Sequence, residues 1–80
     1  MACFVYVLAS ERNGKPRTYV GWTTDLDRRL TQHNNGTGAK FTRGGTWVMI
    51  YAEKYETRNE AMSREWYLKR DRKMRKILMS

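Results

Sequence analysis

The Asn13-Gly14 pair, set between two runs of β-branched and aromatic residues, is the feature that most narrows how this chain folds. Asparagine and glycine both tolerate positive φ, which a two-residue type I′ turn between antiparallel strands demands. Before the pair, Cys3 to Leu8 alternates Phe4, Tyr6 and Leu8 against Cys3, Val5 and Val7, the period of a strand. After a turn over Arg12 to Pro16, Thr18 to Trp22 supplies the returning strand. The hairpin that results lets Tyr6 and Tyr19 share a face. Gly21, in Tyr19-Val20-Gly21, is the one glycine inside a strand-like run rather than a turn. A glycine there weakens packing, so its presence implies that another group comes close to the backbone, as at a site.

Beyond the hairpin, Thr24 with Asp27 three residues on resembles a capping arrangement, and it starts a helix that runs to about Asn34. From Asn34 to Gly45 comes a polar, glycine-rich loop centred on Lys40, Phe41, Thr42 and Arg43. Loops of that length in small domains often carry function. Trp47 to Tyr55 reads as a third strand, and its nearly continuous apolar run through Ala52 predicts burial on both faces. Thr57 and Glu60 form a capping box for a second helix that extends towards the C-terminus and breaks near Asp71.

A length of 80 residues fits one domain, 1–80, with a core that gives only marginal stability. The 16 Lys and Arg against 8 Asp and Glu leave a formal charge of +8, which favours a polyanionic partner, nucleic acid first. Six of those basic residues fall between Lys69 and Lys76, where they make either a solvated helix face or a surface that steers DNA or RNA. Cys3 is the only cysteine, so the fold rests on its core, and a reducing, cytoplasmic setting is expected. No apolar run approaches the length of a membrane span, and no secretory leader pattern is present, so no membrane partner is expected.

The candidate chemistry lies on the two helices. At about 100° per residue, Leu26, Leu30 and His33 fall in a narrow arc that Arg29 borders, while Arg28 points away to solvent or a phosphate. In the second helix Ala61, Met62 and Leu68 define an apolar arc with Glu65 inside it, and Trp66 and Tyr67 read as core and boundary aromatics. A carboxylate so placed needs a companion: a metal ion, Arg29, or Lys69 one turn on. One carboxylate suits Mg²⁺ when water and a substrate phosphate complete the shell, a combination that fits phosphodiester hydrolysis. Tyr19 is then a candidate base for water, and Arg29 a stabiliser of charge developing on phosphate.

With these residues in place the chain resembles the GIY-YIG nuclease superfamily, through Phe4-Val5-Tyr6, Tyr19-Val20-Gly21, the stretch from Asp25 to Leu30 that ends at His33, and Glu65. The resemblance covers essentially the whole chain and is nearest to small, stand-alone bacterial members. It implies an α+β fold, a three-stranded antiparallel sheet flanked by helices. It also implies a metal-dependent endonuclease acting on DNA by a one-metal mechanism, with one divalent ion, Mg²⁺ or Mn²⁺, on Glu65. Tyr6 and Tyr19 become active-site tyrosines, Tyr19 being the favoured general base with Tyr6 and His33 as the alternatives. Arg29 becomes the phosphate-stabilising arginine, His33 a proton relay or water-orienting group, and Gly21 the close-packed backbone. Lys40, Arg43, Lys69, Arg72 and Lys73 are the basic residues expected to meet substrate.

Phe4 and Val5 replace the glycine and isoleucine of the first family motif, Val20 replaces isoleucine in the second, and Trp22 stands where some relatives carry a lysine, whose charge Lys40 is positioned to replace. No asparagine follows Glu65 to match the one some relatives use near the site. Two other readings compete: a nucleic-acid-binding module that keeps the fold without cleaving, and a structural protein in which Arg29 and Glu65 pair across the core. Relatives often draw specificity from an attached DNA-binding domain. None is expected here, so a protein partner is a candidate source of specificity.

Overall fold

The computed structural model describes residues 2–79. Strands β1 (Cys3–Arg12) and β2 (Lys15–Thr23) pair antiparallel from Phe4 opposite Thr23 to Arg12 opposite Lys15. Asn13 and Gly14 join them with φ of 53° and 76°, the two positive values a type I′ turn requires. Strand β3 (Val48–Tyr55) pairs antiparallel with the other side of β1, giving the order β2-β1-β3. An irregularity between Val7 and Leu8 shifts the β1–β3 register, so that Val7 faces Tyr51 and Leu8 faces Met49. Helix α1 (Leu26–Asn34) follows the hairpin, a short 3₁₀ turn covers Lys40–Thr42, and α2 (Arg58–Arg70) and α3 (Arg72–Met79) close the chain. This is the α+β sheet with flanking helices that the sequence implies.

The central strand is covered on both faces. Cys3, Val5 and Val7 pack with Val20, Ala61 and Leu68 beneath α2 and α3, with Met74 and Leu78 against them. On the opposite face Tyr6, Leu8 and Trp47 pack with Leu26 and Leu30 of α1 and with Tyr19 and Met49. The side-chain amide of Asn34 ties the end of α1 to the start of β3: it donates to the Trp47 carbonyl at 3.1 Å and accepts from the Trp47 amide at 2.6 Å. No helix among the described residues is long and apolar enough to cross a membrane.

Several expectations change. The α1 cap is Asp25 rather than Thr24: the Asp25 carboxylate accepts from the Arg28 amide at 3.0 Å, and Thr23 holds the Asp25 amide. Burial on both faces belongs to β1, not β3, because β3 is an edge strand with Val48 and Ala52 exposed. A continuous apolar run signals a buried strand without saying which strand occupies the centre. Trp47 stays outside β3, buried with its indole N–H on the Thr42 carbonyl at 2.9 Å. In α2 the buried stripe is Ala61 and Leu68, so Met62, Trp66 and Tyr67 stand on the outside of the helix instead of in the core. The Thr57 cap and the break at Asp71 fall where expected.

Candidate active site

Tyr6 projects from the middle of β1 onto the α1 face, almost fully buried and directly opposite Gly21 in the β1–β2 ladder. A Cβ added at Gly21 would lie 2.5 Å from the Tyr6 hydroxyl and 2.7 Å from the ring carbon that bears it. The group that needs the bare backbone is therefore the phenol of Tyr6, the close approach that a strand glycine implies.

Helix α1 brings Arg29 and His33, one turn apart, to that hydroxyl. Arg29 Nε donates to Tyr6 Oη at 3.3 Å, and Arg29 Nη1 donates to Gln32 Oε1 at 3.0 Å. Tyr6 Oη lies 2.8 Å from His33 Nε2, and His33 Nδ1 lies 2.7 Å from Thr42 Oγ1. The proton positions follow from counting donors. Thr42 has one hydroxyl proton and gives it to the Ala39 carbonyl at 2.9 Å, so it accepts from His33 Nδ1–H. In the neutral imidazole Nε2 is then the acceptor, and Tyr6 O–H donates to it while taking the Arg29 N–H on its own lone pair. The Ala39–Thr42–His33–Tyr6–Arg29 chain thus has a single consistent direction.

The electrostatics agree. Burial pushes the Tyr6 phenol up to about 12; Arg29 opposes the shift, and the Tyr19 and Glu65 charges add to it. The hydrogen bond to Tyr6 holds Arg29 above its ordinary value, with burial working against it. His33, fully buried, is lowered by burial and by the Arg29 charge, which keeps it neutral.

Tyr19 is half-buried, its ring 4.9 Å from His33 and 6.4 Å from Tyr6. Phe41 stacks over it at 6.2 Å, and the Arg17 guanidinium caps both Phe41 (5.4 Å) and Trp47 (5.0 Å). Beside the cluster, Trp22, Thr23, Thr24, Arg28, Arg29 and Gln32 line a cleft, so Arg28 sits on its rim although its side chain is exposed.

Glu65 reaches the group electrostatically, through its effect on Tyr6, but pairs with Lys69 at 3.7 Å rather than with Arg29. Among the described residues Arg29 and Glu65 form no ion pair, which removes the observation that a purely structural role for the two would need. Lys40 and Arg43 flank Phe41 in the exposed loop, and Arg72 and Lys73 are exposed on α3. Thr42, Gln32 and Gly38 also build the site, although sequence reasoning gives them no role in it; a Cβ at Gly38 would fall 2.6 Å from His33 Nδ1. Their only sequence signal is membership of a helix end and a loop too long to be a mere connector.

A family model described as the GIY-YIG catalytic domain matches residues 2–77. Among curated relatives, a UPF0213 protein of Clostridium perfringens is 44% identical over 84% of this chain and 70% of its own length. One from Streptococcus pneumoniae is 46% identical over 91% and 72%. The UPF0213 protein YazA of Bacillus subtilis is 40% identical over 94% and 74%. The solution NMR structure of a UPF0213 protein from Bacillus halodurans matches with a TM-score of 0.54 and 34% identity, covering 99% of this chain and 83% of that one.

Proposed function

Because this chain belongs to the GIY-YIG family, we propose that it is an endonuclease that hydrolyses DNA phosphodiester bonds with the help of one divalent ion, Mg²⁺ or Mn²⁺, at Glu65. The observation that carries this reading is the buried Tyr6 hydroxyl held between Arg29 and His33, opposite a glycine, beside a cleft rimmed by a second arginine. A cation and a neutral imidazole converge on one phenolic oxygen next to open surface, an arrangement that supports chemistry there.

Arg29, kept charged by the phenols beside it, meets the scissile phosphate as negative charge develops there, and Arg28 on the rim takes a neighbouring phosphate. With burial pushing Tyr6 up to about 12 and lowering His33 below its ordinary 6.5, transfer of the Tyr6 proton to His33 is strongly uphill in the free protein. Tyr6 therefore keeps its proton and orients Arg29. Tyr19, the more accessible phenol, takes the proton of the attacking water when it is in its phenolate form, and so becomes the neutral phenol.

Glu65 fits a divalent ion as a hard, partly exposed oxygen donor in a loose pair with Lys69 at 3.7 Å. When bound there, with water and substrate phosphate completing its shell, the ion supplies charge stabilisation at the leaving oxygen. The buried free thiol of Cys3 accords with action in the cytoplasm.

The test is Mg²⁺- and Mn²⁺-dependent cleavage of single-stranded, duplex, flap and branched DNAs by wild type beside Glu65→Gln. The expected result is cleavage by wild type, abolished by chelation and by the substitution. DNA binding by folded wild type without any cleavage would replace the enzyme with a non-catalytic binding module on the same fold.

A further inference from the structure

Trp66 and Tyr67 are 52% and 61% exposed on the outer side of α2, and their rings meet edge to face at 5.0 Å and 77°. Arg70, one turn after Trp66, lays its guanidinium 3.7 Å from the indole centroid while donating to the Trp66 carbonyl at 2.8 Å. One turn before Trp66, Met62 is also exposed, so the ridge runs over two turns of helix. The inward stripe of α2 is already filled by Ala61 and Leu68, so these rings have no core to cover. Large aromatic surface left in water, with a guanidinium fixed against it, marks a contact surface.

The charge around the ridge indicates what it contacts. Lys69 and Arg70 lie within it and Arg72 and Lys73 follow, all exposed, in a chain of net charge +8. A second copy would bring the same positive rim against this one, whereas a polyanion neutralises it. Duplex DNA keeps its base faces stacked inside, while unpaired bases offer a π-face to an aromatic or a guanidinium. We propose that Trp66, Tyr67 and Arg70 form a stacking platform for unpaired bases, which leads a single-stranded segment of nucleic acid past Glu65 on the adjoining face of the helix. The proposal rests on the nuclease reading for its setting and deepens it by naming the substrate class as strands with unpaired bases.

The experiment is fluorescence anisotropy, in chelator so that nothing is cut, with a labelled thymidine oligonucleotide and with a matched duplex. Wild type should prefer the single strand. Trp66→Ala should weaken single-strand binding about tenfold, leave duplex binding unchanged and leave the salt slope unchanged, because stacking releases no counterions. Trp66→Phe should restore most of the loss, and Tyr67→Ala should weaken binding several-fold.

An equal loss on both probes, or no loss on either, overturns the platform. So does a dimer, seen by sedimentation, that Trp66→Ala dissociates without affecting single-strand binding. These outcomes separate the two readings: wild type that cuts DNA but binds single strands independently of Trp66 sinks only the platform. Stacking that depends on Trp66 in a protein that never cleaves sinks only the nuclease.

Discussion

At the scale of single residues, the site depends on space and on one proton acceptor. Gly21→Ala would place a methyl group 2.5 Å from the Tyr6 hydroxyl, so the ring must leave its hydrogen bonds to Arg29 and His33. We expect a stability loss of about 1–3 kcal/mol by urea denaturation and a cleavage rate lower by about 10²-fold, since misplacement of a reacting group by an ångström has that effect. A Gly21→Ala protein that cuts as well as wild type would show that Tyr6 is not held for catalysis. Thr42→Val keeps the shape of the side chain and removes the acceptor of His33 Nδ1–H, leaving a buried donor unpaired at a cost of about 1–3 kcal/mol. Because the chain has one histidine, its ring nitrogens are directly assignable by ¹⁵N NMR. Wild type should show the Nδ1–H tautomer, titrating below the ordinary 6.5; Thr42→Val should populate the Nε2–H form and Thr42→Ser should not. The opposite tautomer in wild type would reverse the two links that His33 makes, to Thr42 and to Tyr6, while Arg29 still donates to Tyr6.

At the scale of elements, the edge strand β3 is fastened to α2 by Glu53. Its carboxylate takes Arg64 Nε at 2.8 Å and Nη2 at 3.1 Å, and accepts the phenols of Tyr51 and Tyr55 from either side along the strand. Led by Arg64, these donors hold Glu53 down at about 2, against its ordinary 4.5. A carboxylate lowered in the folded state leaves the unfolded chain binding more protons in acid, so its contribution is complete above about 4.5 and lost as pH falls towards about 2. It amounts to about 2–3 kcal/mol for a pair that water still reaches in part. Denaturation midpoints should fall across that window in wild type and stay flatter in Glu53→Gln; parallel curves would deny the pair its role. Little of this clasp was legible in the sequence, where Glu53 is one of two adjacent charges, with Lys54, just past the apolar run. The hairpin was legible because Asn13-Gly14 specifies its own geometry, and the extent of α1 because its apolar period meets a polar loop. Strand order was not, since β3 and β2 flank β1 through contacts that local pattern does not encode. Tyr6, Tyr19, Arg29 and His33 were legible as one cluster, being one hairpin and one helix. Thr42 was not, because only the fold of the loop brings it back to His33. Hydrophobic type alone puts Trp66 and Tyr67 at the core and its boundary, whereas their angle from Ala61 and Leu68 turns both outward.

At the scale of the whole molecule, 16 basic against 8 acidic side chains give the chain an excess of positive charge that the fold does not spend evenly. In the run from Lys69 to Lys76, Lys69 is paired with Glu65 and Arg70 is stacked on Trp66. Arg75 donates to Thr18 Oγ1 at 3.3 Å with its Nε buried, which ties α3 to β2. Arg72, Lys73 and Lys76 are exposed on α3, and these are the charges of the run left available to phosphates. The basic residues of one short segment should therefore separate by experiment. For duplex DNA, replacing Arg72 and Lys73 together by Gln should flatten the dependence of log K on log salt by about 1.8, at about 0.9 per phosphate contact. The fold should be untouched. Arg75→Gln should leave the slope nearly unchanged and lower the thermal midpoint, because what it removes is a tie between elements rather than a contact to phosphate. A slope that changes equally with all three would mean that α3 meets DNA as a diffuse positive surface. A slope indifferent to Arg72 and Lys73 would move the interface to the other face of the sheet, where Arg28 rims the cleft beside Tyr6 and Arg29.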